Sequence, residues 1–86
     1  GEFEAARPNP FTGSSTSRFK IDSTQPVTAE LYDLAGRRVQ VLFEGIAARG
    51  EWQTLRIDGR ALPAGTYVVR LRGETAQGTT RVVLVR

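Results

Sequence analysis

Val27-Thr28-Ala29-Glu30-Leu31-Tyr32-Asp33-Leu34-Ala35-Gly36-Arg37-Arg38-Val39 is the stretch that decides the fold. Val27, Ala29 and Leu31 alternate with Thr28, Glu30 and Tyr32, the period-two pattern of a strand with one buried face. A helix would place its apolar residues three and four apart. Asp33-Leu34-Ala35-Gly36 then reads as a hairpin turn, because Asp bonds its own backbone and Gly tolerates positive φ. Arg37 to Phe43 is the returning strand. Its alternation breaks at Val41-Leu42-Phe43, which predicts a bulge or a sheet edge.

The same pattern extends both ways. Thr16 to Asp22 puts Phe19 and Ile21 on one face, and Gly45 to Gly50 reads as a loop. Glu51 to Ile57 is a strand with Gln53, Leu55 and Ile57 on one side and Trp52, Thr54 and Arg56 on the other, ended by Asp58-Gly59. Leu62-Pro63-Ala64-Gly65 is a tight turn with proline in the favoured second position. Thr66 to Arg72 follows, with Tyr67, Val69 and Leu71 inward and Val68, Arg70 and Arg72 outward. Gly73 to Gly78 closes a hairpin, and Thr80 to Val85 is the last strand. With a weak first strand around Arg7 to Phe11, this predicts an all-β fold: an immunoglobulin-like antiparallel β-sandwich of about seven short strands in a single domain. The Cys–Trp–Cys mark of true immunoglobulin domains is missing, so this likeness is architectural.

The chain has 86 residues, which fits one domain. Folding at this size buries roughly 60–65% of the unfolded surface, enough for one thin core but not for a deep, dry active-site pocket as well. Gly1-Glu2-Phe3 reads as a cloning scar, since Glu-Phe is what an EcoRI site encodes, and leaves 4–86 as the domain. No apolar run approaches the ~20 residues that span a membrane as a helix. With Cys 0 and His 0, disulfides and the usual zinc and haem ligands are excluded, and so is His- or Cys-activated nucleophilic catalysis. The carboxylates form no convincing acid–base pair, and no glycine-rich phosphate cradle is present. The sequence therefore implies no enzyme and no cofactor. A net charge of +3, spread along the chain, is too weak a footprint for nucleic acid.

Several residues read first as structure. Pro8, Asn9 and Pro10 hold an extended lead-in. Asp33, Gly36, Asp58 and Gly59 are turn chemistry, and no dense acidic loop surrounds either aspartate to bind calcium. Pro63 and Gly65 set a turn that plants Tyr67 in the core, like the tyrosine corner of Greek-key sandwiches. The last strand is apolar on both faces, so Val83 and Val85 are candidates for partner contact, with Arg72, Arg81 and Arg86 as a candidate outward basic patch. Trp52 and Tyr32 are candidates for stacking against a sugar ring. Edge strands in a short sandwich invite pairing, which leaves a dimer open.

Three segments together carry a family resemblance. They are Arg7-Pro8-Asn9-Pro10-Phe11 with Ser14-Ser15-Thr16, then Leu31-Tyr32-Asp33-Leu34-Ala35-Gly36-Arg37-Arg38-Val39, then Ile57-Asp58-Gly59-Arg60-Ala61-Leu62-Pro63-Ala64-Gly65-Thr66-Tyr67 followed by Val69-Arg70-Leu71. Each motif is weak alone. Their order and spacing from Arg7 to Arg86 resemble the type A C-terminal sorting domain of the type IX secretion system, itself similar to the immunoglobulin-like domain of the flagellar hook-capping protein. Ile57 departs from the aromatic that this family often carries before the Asp-Gly.

The resemblance implies a non-catalytic domain at the C-terminus of a larger secreted protein, often a hydrolase, in Bacteroidetes and relatives. It implies passage through the periplasm, recognition by the outer-membrane secretion machinery, and release or attachment at the cell surface, with surface lipopolysaccharide as a further partner. Two other readings fit a small β-sandwich: a carbohydrate-binding module of a glycoside hydrolase using Trp52 and Tyr32 on a polysaccharide, and a scaffold or spacer domain.

Overall fold

Seven antiparallel strands, and no helix, form two stacked sheets in the computed structural model, which describes residues Gly1–Arg86. The strands are β1 (Glu2–Arg7), β2 (Ser14–Lys20), β3 (Gln25–Asp33), β4 (Arg38–Ala47), β5 (Gln53–Asp58), β6 (Gly65–Gly73) and β7 (Gln77–Leu84). One sheet has the order β1-β2-β5 and the other β4-β3-β6-β7. Together they make the immunoglobulin-like sandwich that the alternation predicts.

The inward residues of each strand meet in one core. Val27, Ala29 and Leu31 of β3 and Tyr67, Val69 and Leu71 of β6 face Phe19, Leu55 and Ile57 of the other sheet. Phe19 meets Phe43 edge to face at 5.6 Å between ring centroids, a favoured aromatic geometry. Every buried side-chain polar atom has a hydrogen-bond partner.

Element boundaries shift by a residue or two at most strands and differ most from the sequence expectation in three places. The first strand is Glu2–Arg7, not Arg7 to Phe11. Pro8 and Pro10 have no N–H for a sheet ladder, so this segment, with cis Arg7–Pro8 and Asn9–Pro10 bonds, crosses between the sheets instead. β4 runs on through Gly45 to Ala47, paired with β3 as far as Gln25, where the two glycines predict a loop. The hairpin before the last strand is tighter than expected. Gly73 N–H donates to the Ala76 carbonyl at 2.7 Å, and β7 begins at Gln77. The irregularity at Val41-Leu42-Phe43 is a bulge on an edge strand: Ala29 faces Phe43, but Glu30 faces Val41.

Gly59 serves a close approach. A Cβ there would sit 2.8 Å from Phe11 Cε2 and 2.9 Å from Leu84 Cδ1. Gly59→Ala should overpack this junction and cost about 1–3 kcal/mol. The check is a urea titration, where the midpoint should fall at constant slope. An unchanged midpoint would mean that Phe11 and Leu84 yield freely.

Candidate functional site

The three sequence motifs and the chain's last residues converge on one end of the sandwich. Register places Asp33 opposite Tyr67, and Gly65 opposite Leu84. Phe11, Gly59 and Leu84 touch there as well.

Two turns at this end share one chemistry. Asp33 Oδ1 accepts from the Ala35 and Arg37 backbone N–H groups at 3.0 and 2.9 Å, and Oδ2 accepts from Arg37 Nε at 2.8 Å. Gly36 stands at φ 84°, the left-handed conformation the turn needs. Asp58 Oδ1 accepts from the Arg60 N–H at 3.0 Å, and the Arg60 guanidinium grips both carboxylate oxygens. In each turn an aspartate ties down its own loop and the arginine that follows. These hydrogen bonds hold both carboxyls below the ordinary aspartate range: the Arg37 backbone N–H acts first on Asp33, and the Arg60 side chain first on Asp58. Nearby, the Tyr67 hydroxyl donates to the Pro63 carbonyl, which makes the tyrosine corner.

The final strand is enclosed on both sides. One edge of β7 pairs with β6. The other is covered along Arg81–Val85 by the proline-rich segment. Phe11 N–H donates to the Val83 carbonyl at 2.9 Å, and Val85 N–H donates to the Phe11 carbonyl at 2.9 Å, in a parallel bridge. One step earlier the Asn9 side chain does the same work: Nδ2 donates to the Arg81 carbonyl at 3.1 Å, and Oδ1 accepts the Val83 N–H at 2.8 Å. Pro8 and Pro10 cannot donate, so the asparagine amide stands in for backbone. The Ser15 and Ser17 hydroxyls, buried on β2, donate to the Pro8 and Glu4 carbonyls at 2.7 and 2.6 Å. The sequence motif includes Ser15 but not Ser17, and neither reads there as a buried donor. The signal was present, since two serines alternating on the face that carries Phe19 need buried acceptors.

The candidate contact residues do not form one patch. Arg72 and Arg81 lie on the outer face of the four-stranded sheet. Arg86 instead turns back, and its guanidinium donates to the Gly59 carbonyl at 2.9 Å and to the Leu62 carbonyl. Val83 is half-buried and Val85 exposed. Trp52 and Tyr32 are apart as well. Trp52 lies on the three-stranded sheet, with Arg18 Cζ 3.9 Å and Lys20 Nζ 4.8 Å from its ring centroid. Tyr32 belongs to β3 of the other sheet, where its hydroxyl donates to Glu30 Oε1 at 2.8 Å.

Glu30 is the functional-looking residue that sequence reading did not single out. Alternation places it outward, yet its side chain is only 5% exposed. Arg38 and Arg72 close over it at 3.0 and 2.8 Å. Hydrogen bonds from Arg38 first, then from Tyr32, hold its carboxyl below the ordinary glutamate range, against burial that pushes it up.

In this two-sheet sandwich the first and third motifs bind the last strand, and the second meets the third where Asp33 faces Tyr67. The chain belongs to the secretion system C-terminal sorting domain family, which matches residues 6–85. Its role is sorting by type IX secretion, as part of a larger, secreted or surface protein, and the family is one of sorting signals rather than catalysts. A comparison with curated proteins gives no match.

Asn9→Ala should remove two hydrogen bonds from the β7 edge, at about 1 kcal/mol each. Hydrogen exchange at Val83 should quicken while that at Val69, in mid-sheet, keeps its rate relative to global unfolding. Equal acceleration at both would assign Asn9 no local role.

Acid should unfold this domain. Asp33, Asp58 and Glu30 bind fewer protons folded than unfolded, so stability is fully present above the unfolded carboxylate range, about pH 4. It is lost as pH falls through the lower folded values. Calorimetric melting from about pH 7 to about pH 2 should show a falling Tm, with Glu30→Gln less stable at neutral pH and converging on wild type in acid. A Tm that rises on acidification would contradict this.

Proposed function

We propose that this domain, itself non-catalytic, carries a larger hydrolase across the outer membrane by type IX secretion and mediates its attachment at the cell surface. The supporting observation is the convergence of the first and third family motifs on the final strand, with the second joined to the third where Asp33 faces Tyr67. Phe11, Asn9 and Gly59 act on Arg81–Val85, so the terminal strand is presented in one conformation. In this reading the outer-membrane machinery reads that strand through Val83, Val85 and the neighbouring Arg81, with Arg86 fixing the terminus against the Gly59–Leu62 turn and Arg72 farther out on the same face as Arg81. Surface lipopolysaccharide is the anionic partner of the attached product.

The test is localisation. The domain is fused behind a signal peptide and a fluorescent protein, then expressed in a host with type IX secretion and in a mutant lacking it. Fluorescence should reach the surface or medium only in the competent host. Loss of Arg81–Arg86 should trap it in the periplasm, and so should Val85→Asp, which keeps the core. Export in both hosts, or continued export without the last strand, would refute the proposal.

A further inference from the structure

The outer face of the β4-β3-β6-β7 sheet extends well beyond the Arg81, Val83 and Arg72 positions that the sorting reading uses. Its outward residues include Arg38, Arg70, Arg72 and Arg81, and register sets their places. Arg70 lies directly across from Glu30 and from Thr79, Arg72 across from Gln77, and Arg81 across from Val68. On the opposite sheet Arg18 pairs with Glu4 and Lys20 with Glu2, which leaves Arg7 and Arg56 as isolated unpaired cations on separate strands. On this face Arg38 and Arg72 share the single buried carboxylate of Glu30, and neither Arg70 nor Arg81 makes an ion pair.

Glu30 acts as a positioning residue for this array. A carboxylate 5% exposed beneath two guanidinium groups cannot serve a solvent ion. It fixes Arg38 and Arg72 through one donor each and leaves the rest of each fork pointing outward. Arg70, Arg72, Gln77 and Thr79 rim a shallow depression floored by Leu71 and Gly78. Residues two apart on one strand stand ~7 Å apart, and diagonal neighbours across a pair ~7–8 Å. Arg72, Arg70 and Arg81 therefore form a stepped row at ~7 Å intervals, the repeat at which alternate side chains leave an extended peptide. Val68 and Tyr32 lie beside that row, half-buried, and offer apolar contact to the peptide's other residues.

We propose that this face docks an acidic, extended protein segment, whose alternate carboxylates pair with Arg72, Arg70 and Arg81. Carboxylates match the guanidinium fork two oxygens at a time, and the match strengthens as the segment excludes water. This goes beyond the sorting role and uses the purified chain alone, so it stands or falls separately from export in cells.

The experiment is an NMR titration of the 86-residue chain with an octapeptide of alternating aspartate and valine. Amide shifts should concentrate at Val68–Arg72 and Thr79–Val83. The double variant Arg70→Glu, Arg81→Glu should weaken binding by about tenfold or more, and Arg56→Glu on the other sheet by less than about twofold. Should charge reversal disturb the fold, Arg70→Gln with Arg81→Gln removes the charge alone and should still weaken binding several-fold. Raising salt from about 0.05 to about 0.5 M should release the peptide. Shifts spread over both sheets, or equal loss with Arg56→Glu, would overturn the proposal. So would tighter binding, charge for charge, of a sulfated dextran at the same footprint, which would assign the face to an anionic polysaccharide.

Discussion

Phe11 is the residue on which this structure turns. Its ring is buried against Gly59 and Leu84, and its backbone bonds Val83 on one side and Val85 on the other. One residue thus plugs the end of the sandwich, joins the lead-in to the last strand and fixes the loop after β5. Truncating a buried aromatic of this kind costs about 3–5 kcal/mol, a large share of the 5–15 kcal/mol that a small domain has. The rest of the motif end is arranged around it. Gly59 makes room for the ring, Asn9 completes the edge that Phe11 begins, and Arg86 closes over the Gly59–Leu62 turn.

A sandwich of two short sheets leaves strand edges whose backbone groups need partners, and this chain meets that need with side-chain amides. Asn9 bonds an N–H and a carbonyl of β7. Gln40, on β4, donates to the Asp58 carbonyl at 2.6 Å and accepts the Asp58 N–H at 3.1 Å, tying the edge of one sheet to β5 of the other. Gln25 bonds the Thr75 N–H and hydroxyl, both at 2.9 Å, and secures the β6–β7 hairpin at the far end. An amide carries one acceptor and a donor group in nearly the geometry of a peptide unit, so it can act as one residue of a strand. With no disulfide available, these three bridges and the core hold the sheets in register.

Local pattern made most of the fold readable. Period-two alternation gave the inward faces of β3, β5 and β6, and the broken alternation at Val41-Leu42-Phe43 marked the bulged edge. Asp33 and Gly36 announced their turn, and Tyr67 its corner. What stayed hidden is non-local. Nothing near Gly59 reveals that Phe11 and Leu84 press on it, and a glycine after aspartate reads as turn chemistry alone. Arg86 looks like a free basic terminus until the Gly59–Leu62 carbonyls come beneath it. Trp52 and Tyr32 look alike as exposed rings, but only strand order puts them on different sheets. Glu30 reads as a solvated outward residue, because alternation knows the side of a strand and not what its neighbours lay over it.

The contrast between the two outer faces follows from the same non-local logic. On β1 and β2 acidic and basic residues stand directly across from one another, Glu2 with Lys20 and Glu4 with Arg18, so charge is balanced pair by pair. Such exposed pairs add little to stability, and they leave only Arg7 and Arg56 of that sheet without an ion pair. On β6 and β7 the β7-side partners of the arginines are Thr79, Gln77 and Val68, and Glu30 of β3 is the one carboxylate that pairs with them, through Arg72. Burying Glu30 there has an electrostatic cost, since desolvation works against its charge. That cost is met by Arg38, Tyr32 and Arg72 together, and removing any one of them would leave the carboxylate short of a donor. The arrangement is therefore self-consistent only with arginines held over it. A face held basic in this way keeps the last strand, β7, beside positive charge.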